Sequence, residues 1–403
     1  MLSERDIEKL IQPILDRQGA INDYVIRKIA QRVKEIGKML PSDVYKLERL
    51  LKSGSDVREI NAEIARLSGL NERDIKSLIR TVAKDSYLDV KPYYDYRNKP
   101  FIPFERNLDL QRVIRAIANQ TADTYVNLSR SRAFMIRDLQ NPAILKPTPL
   151  SQAYYSVIDE AIQASQSGVI DYGTAMRRTL QQLSDSGLRT VTYHPESGKT
   201  YTQTLEAAVK RNLLDGIRQI NQGVQDEVGK QYGADGKEIT VHEMSAPDHE
   251  PIQGHQFTNE EYEKLQNNEP FEDVNGRKFD AIERAIGEYN CRHFTYSIII
   301  GVNKPNFTQE QLDANIARNH QGYTDSSGKH RTLYECSQEQ RRMEREIRQA
   351  KRNIMTGKAA GDQTMVSKAQ VTLAQKTKAY KAFSSACGLS TKNSNTRVQG
   401  YRK

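Results

Sequence analysis

Apolar residues at Ile7, Leu10, Ile14, Ile21, Val25, Ile29, Val33 and Ile36 recur at helical spacing behind a capping Ser3, so the chain opens on a predicted amphipathic helix with a kink at Pro13. Ser42-Asp43, Ser55-Asp56 and Asn71 read as starts of three shorter helices, the second ended by Gly69. Residues 1–86 are thus expected to form a helical unit. The stretch 87–106 breaks the pattern with prolines and tyrosines and reads as an ordered linker that lays aromatic rings on a neighbour. A helical body is expected over 107–230. It begins with a long helix from Asn107 to Leu139, ended by Pro142, and continues with helices over 151–165 and 171–183. A short strand at 189–193 follows, turned at Pro195 to Gly198. From 204 to 228, Leu205, Val209, Leu213, Ile217, Ile220, Val224 and Val228 share one face, which predicts a helix packed under the segment that follows.

That segment changes period. Glu238 to Met244 alternates like a strand, Pro247 and Pro251 impose an irregular loop, and Phe294 to Ile300 has the aromatic and β-branched make-up of a buried strand. The two strand ends could bring His242 and His293 together. Thr258-x-x-Glu261 and Thr308-x-x-Gln311 read as capping boxes, and helices are expected over 337–355 and 363–384, parted by Gly357 and Gly361, with a weakly ordered tail from Ser390. The expected fold is therefore mainly α. It has a helical N-terminal body, a small α+β domain around residues 232–330 (231–335 with its flanks) and basic C-terminal helices over 336–403.

Composition and charge sharpen this picture in two ways. With 37% hydrophobic and 28% charged residues and a mean hydropathy of -0.73, the sequence shows neither a membrane span nor an apolar leader, and no membrane partner is expected. Three widely spaced cysteines fit reduced thiols in a cytoplasmic setting. The net charge of +9 is concentrated at one end: residues 332–403 hold 15 Lys and Arg against 5 Asp and Glu, leaving 45 against 46 for the rest. Arg341, Arg342, Arg345, Arg348, Lys351 and Arg352 are interleaved with Glu339, Glu344 and Glu346. Lys368, Lys376, Lys378 and Lys381, by contrast, stand where acids are scarce and are the candidate contacts to double-stranded DNA, bound without sequence preference. A solvated helix face is the other reading of the same charges.

Candidate chemistry gathers between Thr240 and Val302, which holds four of the seven histidines and Cys291. His242, His249, Cys291 and His293 carry the soft donors of a structural zinc site, the one cofactor the sequence suggests. Alternatively, Cys291 serves as a nucleophile with His242 or His249 as base, or Glu243, Asp248 or Glu250 orients a zinc-bound water. In the fourth reading the histidines only hydrogen-bond an irregular loop into place. The N-terminal two-thirds reads as scaffold, with no phosphate loop, dinucleotide fingerprint or nucleophile elbow.

The order His242-x6-His249-x3-Gln253-Gly254 and then Gly287-x2-Asn290-Cys291-Arg292-His293 resembles the signature of the tailed-phage minor capsid protein 2 family, similar in role to Mu-type head-morphogenesis proteins. Gly187 to Tyr193, Arg211-Asn-Leu-Leu and the run from Tyr334 to Arg348 extend the resemblance over about residues 150–355. Two positions depart from the family pattern, Ala246 in place of an arginine and Ile252 in place of a tryptophan. The resemblance implies a structural protein of the phage head, assembled in the host cytoplasm and carried in the virion at the portal vertex, with the portal protein, the capsid shell and packaged DNA as partners. The alternative is a Cys/His or zinc-dependent hydrolase carried in the same head.

Overall fold

The computed structural model describes residues 2–38, 54–137, 144–167, 172–194, 199–288 and 291–402. The helix expected from Ser42-Asp43, Pro142, the turn at Pro195 to Gly198 and Asn290 lie outside the described residues. What is described is mainly α with small antiparallel sheets, as the hydrophobic periodicity predicts.

Helix α1 (Glu4–Ile36) is capped by Ser3 and passes through Pro13, and its stripe of Ile14, Ile21, Val25, Ile29 and Val33 is buried. Helix α2 (Ser55–Leu88) corrects the expected break: it runs straight through Gly69 and Asn71. Asn71 reads as a cap by residue type. It is instead fully buried inside the helix, where its amide donates to Tyr125 Oη at 3.0 Å and accepts from Arg17 Nε at 2.6 Å. These tertiary bonds replace the local backbone bond that makes asparagine a helix starter.

The tyrosine-rich linker contains a short helix, α3 (Lys91–Tyr96), and packs as expected. Tyr87 stacks on Phe101 at 4.7 Å between centroids, Tyr94 meets Tyr232 edge-on at 5.6 Å, and Tyr94 Oη donates to Gln231 Oε1 at 2.6 Å. Tyr87 and Tyr94 are buried, so neither ring can stack on a nucleic acid.

Helix α4 (Leu108–Arg130) starts at its Asn107 cap but ends nine residues before Leu139. Arg132–Arg137 forms β1, the second correction, and Met135 lies on that strand. The apolar run Ala133-Phe134 satisfies a strand as well as a helix, and its partners are remote in sequence. β1 pairs with β2 (Leu145–Pro149) and with β3 (Arg189–His194), and β3 pairs with β4 (Lys199–Thr204), in the order β2-β1-β3-β4. Helices α5 (Leu150–Ser167) and α6 (Tyr172–Ser186) lie between β2 and β3 in the chain.

Helix α7 (Leu205–Tyr232) buries the predicted face within one hydrophobic core that draws residues from Ile11 to Ile299. It also carries the sheet built from β5 (Gly236–Ile239), β6 (Gln256–Thr258) and β9 (Thr295–Ile298), in the order β6-β5-β9. β9 is an edge strand, and α7 covers that edge. Gln222 Oε1 accepts from Thr295 N at 2.9 Å and Gln225 Oε1 from Ser297 N at 3.1 Å, while Tyr232 Oη donates to Ser297 O at 2.5 Å. The strand's outward amides are thereby satisfied by side chains. A second, smaller core of Ile239, Ile252, Phe257, Leu265, Phe271 and Ile286 forms beneath α8 (Asn259–Gln266) and the two-residue strands β7 (Phe271–Glu272) and β8 (Lys278–Phe279). Thr258 caps α8, but Glu261 turns its carboxylate to Glu272 N at 2.7 Å rather than completing a capping box. The Thr308 to Gln311 box is present at the start of α9 (Gln309–Gln321).

After a two-residue hairpin, β10 (Tyr323–Thr324) and β11 (His330–Arg331), the basic region forms the antiparallel pair α10 (Leu333–Ala360) and α11 (Gln363–Ala386). α10 starts four residues before the expected Ser337 because Thr332 and Glu335 form a capping box, and it runs through Gly357 to stop at Gly361, in the left-handed region at φ 72°. The tail is held rather than loose, a third correction. Lys351 Nζ donates to Thr396 O at 2.6 Å, Lys392 pairs with Glu8 at 2.7 Å, Arg397 with Asp16 at 3.3 Å, and Val398 is buried.

Candidate functional site

β5 and β9 pair with Ile239 opposite Thr295, so the chain leaving β5 and the chain entering β9 run side by side. The pairing continues past the strands: Thr240 N donates to Phe294 O at 3.0 Å, and Phe294 N to Thr240 Oγ1 at 3.2 Å. β5 is shorter than the expected strand to Met244, which leaves His242 just beyond its end. His242 and His293 still meet as the pattern of strand ends suggested, their rings edge-on at 4.8 Å between centroids. The loop between β5 and β6 then brings in His249, whose ring lies 5.3 Å from that of His293.

Three of the four candidate ligands converge. Cys291 Sγ lies 3.4 Å from His249 Nδ1 and 3.6 Å from His293 Nδ1, and the three donor atoms lie within 4.8 Å of one another. His242 stands outside that triplet, with Nε2 3.4 Å from Thr240 Oγ1. The far side of each converging ring faces an oxygen: His249 Nε2 lies 2.8 Å from Arg284 O, and His293 Nε2 lies 3.4 Å from Gln253 Oε1. Gln253 Oε1 also accepts from His242 N at 2.9 Å, which fixes the amide's orientation.

Electrostatics follow from this packing. Burial pushes the Cys291 thiol up, but the His249 ring and the backbone at Gly287 and His293 outweigh it and hold the thiol below its ordinary value. For His249, burial favours the neutral ring, yet Cys291, Arg284 O and Asp248 together raise it. Burial and the neighbouring His242 and His249 drive His293 down to about 2, so it is neutral.

The loop acids are engaged elsewhere. Asp248 holds Arg284 through two bonds of 2.6 and 2.8 Å, and the Arg284 fork with His249 outweighs burial to keep its carboxyl below the ordinary range. Glu250 accepts from Asn319 Nδ2 at 2.6 Å and meets His320 Nε2 at 2.8 Å, and Glu243 lies 3.6 Å from Arg318 on the surface. His255 is a structural residue, its Nδ1 donating to Asp273 Oδ2 at 2.8 Å.

A lowered thiol beside a raised imidazole is the chemistry of a Cys-His nucleophile, but such a nucleophile must reach its substrate. Cys291 is 8% exposed, His249 1% and His293 4%. The cluster thus converges out of reach of solvent, between the end of β5, the β5–β6 loop and the entrance to β9. Sequence reasoning placed Gln253 in the motif without a role and did not find Arg284; an arginine acting through its carbonyl leaves no side-chain signal.

Gly254 shows how tightly the loop is fitted. Its φ is 77°, and a Cβ there would lie 2.6 Å from Leu312 Cδ2 and 3.0 Å from Val241 Cγ2. Gly254→Ala is expected to destabilise the protein by about 2–4 kcal/mol, combining left-handed strain with overpacking. A chemical denaturation midpoint unchanged from that of the parent protein would contradict this.

The chain is a mainly helical protein with a small sheet beside a buried His/Cys cluster and ordered basic C-terminal helices. The model of the phage minor capsid protein 2 family matches residues 2–384, and the chain belongs to that family. Its role is that of a structural protein of the phage capsid. No match was found among curated proteins or among solved structures. No helix among the described residues is long and apolar enough to cross a membrane.

Proposed function

We propose that this capsid protein is a non-enzymatic component of the portal vertex of the virion, added in the host cytoplasm, with its helical body against the portal protein or adjacent shell and its C-terminal helices toward packaged double-stranded DNA. The observation that carries the protein-binding half is the placement of exposed apolar side chains. Of the ten large hydrophobic residues that stand exposed among the described residues, Leu88, Tyr96, Ile102 and Leu108 all fall within one 21-residue stretch of the body, exposed by 53, 57, 38 and 70%. The same stretch is anchored from below by the buried Tyr87, Tyr94 and Phe104, so its outer side chains are presented on a firm base. Apolar groups on ordered backbone favour a stable protein interface, which needs about 1,000 Å² or more. The basic end is the poorer candidate for that contact, since interface cores are depleted of charge.

The test is capture of the full-length chain by portal protein, by shell protein and by both. Leu88→Glu with Leu108→Glu is expected to reduce capture at least tenfold while the melting temperature holds, because both side chains already face water. Undiminished capture by that variant, together with loss on neutralising Lys368, Lys378 and Lys381, would reverse the assignment of the two ends.

A further inference from the structure

The protons around Cys291 do not add up for a simple hydrogen-bonded cluster. His249 Nε2 and His293 Nε2 both face oxygen acceptors, Arg284 O at 2.8 Å and Gln253 Oε1 at 3.4 Å, so each ring carries its proton on that side. Both Nδ1 atoms then turn a lone pair toward one sulfur, at 3.4 and 3.6 Å. A thiol has a single proton and can satisfy only one of them. Gln253 cannot flip to relieve this, because the same oxygen accepts from His242 N. A cation between the three atoms satisfies all of them at once.

We propose that His249 Nδ1, Cys291 Sγ and His293 Nδ1 bind a zinc ion, with His242 as the fourth ligand. Zinc bonds of about 2.3 Å to sulfur and 2.0–2.1 Å to nitrogen at tetrahedral angles put sulfur and nitrogen about 3.5 Å apart, and two imidazoles on one such ion have ring centres about 5 Å apart. The sulfur to nitrogen distances of 3.4 and 3.6 Å match the first spacing. The ring separations of 5.3 Å for His249 with His293 and 4.8 Å for His242 with His293 match the second. To reach the ion His242 would turn Nε2, which lies 3.4 Å from Thr240 Oγ1, toward the metal. Arg284 O and Gln253 Oε1 are the acceptors that metal-bound histidines require on their second nitrogen, where they set the tautomer and the ring plane.

The ion would join the side chains of three segments: the end of β5, the loop carrying His249, and the entrance to β9. Four protein ligands on a buried ion leave no open position for a substrate, so the site is structural rather than catalytic. Its stabilisation would be coupled directly to folding of the small sheet.

The test uses the full-length chain purified without chelator. Metal analysis is expected to return about one zinc per chain, and replacement by cobalt(II) to give a sulfur-to-cobalt charge-transfer band together with the visible bands of a tetrahedral ion. Cys291→Ser should lose the charge-transfer band, whereas His255→Ala, which alters a buried histidine outside the cluster, should keep it. His242→Ala should weaken zinc binding at least tenfold. A folded wild-type protein that takes up neither zinc nor cobalt(II) stoichiometrically overturns the proposal without reference to any variant. A charge-transfer band that survives Cys291→Ser also overturns it, and unchanged zinc affinity in His242→Ala overturns the fourth ligand.

Discussion

Replacing Arg352 by methionine is expected to destabilise the protein by about 3–5 kcal/mol, the cost of leaving buried charges without their partner. Arg352 lies on α10 yet points into the body, where its Nε pairs with Asp23 of α1 at 3.0 Å and its terminal amino group with Glu206 at the start of α7. Side-chain exposures of 13% for Arg352, 6% for Asp23 and 21% for Glu206 place the triad largely out of water. Burial alone would weaken the guanidinium's hold on its proton, but the two carboxylates more than restore it, whereas at Asp23 burial outweighs Arg352 and raises the carboxyl above its ordinary value. Asp23 has little in reserve: Oδ1 accepts from Asn22 Nδ2 at 3.0 Å, while Oδ2 is buried without a hydrogen-bond partner. Removing the cation therefore strands a carboxylate instead of merely deleting a bond. The triple variant Asp23→Asn, Glu206→Gln, Arg352→Met should recover part of the loss, since both acids of the triad are then neutral and only Arg348, 3.7 Å from Glu206, loses its carboxylate. Denaturant melts of the single and triple variants decide the point, and a single variant within about 1 kcal/mol of the parent would show that the triad does not hold the basic helix to the body.

This triad also shows where reading the sequence stops. The stripes that became α1 and α7 were legible because each helix buries one face, and burial repeats at the helical period. The same rule found α10 and α11 but could not tell which of their cations face solvent. Arg348 and Arg352 belong to one alternating run of charge with Arg342, yet Arg342 pairs along its own helix with Glu339 and Glu346 while the other two turn toward Glu206 and Asp23. Only the acids of distant elements make that distinction. The break read at Gly69 and Asn71, and the helix carried on to Leu139, fail for the same reason. Asn71 is satisfied by Tyr125 and Arg17, and Ala133-Phe134 is recruited by strand partners 14 to 56 residues away. The candidate site was more legible, because histidine and cysteine are rare in this chain and the two strand ends that carry them pair with each other. Its burial, and the oxygens that fix its tautomers, required the fold.

The basic end makes the remaining large prediction. Helix α11 contains no acid in its 24 residues, and it buries Met365, Val366, Ala369, Tyr380 and Ser384 against its neighbours. The four candidate lysines are not equivalent. Lys376 is half-buried and pairs with Glu346 at 2.8 Å, which removes it from the set available to phosphate, whereas Lys368, Lys378 and Lys381 are exposed. At 100° per residue these three span an arc of about 140° on the side of the helix away from its buried face. If each neutralises one phosphate of duplex DNA, affinity should fall about 40-fold between roughly 50 and 200 mM salt, because log K falls by about 0.9 per contact for each decade of salt. The hypothesis is that Lys368→Gln, Lys378→Gln and Lys381→Gln together reduce the slope of log K against log salt by about 3, while Lys376→Gln changes it little. Point substitutions are the right probe here, since deleting α11 would uncover Ile354 and release the tail that α10 holds. The triple variant should keep its melting temperature, and sequence-scrambled duplexes should behave alike, as expected for contacts to the backbone. A slope that does not change in the triple variant, measured on folded protein, would assign the positive charge to solvation of the helix and remove DNA from the partners proposed for this end of the chain.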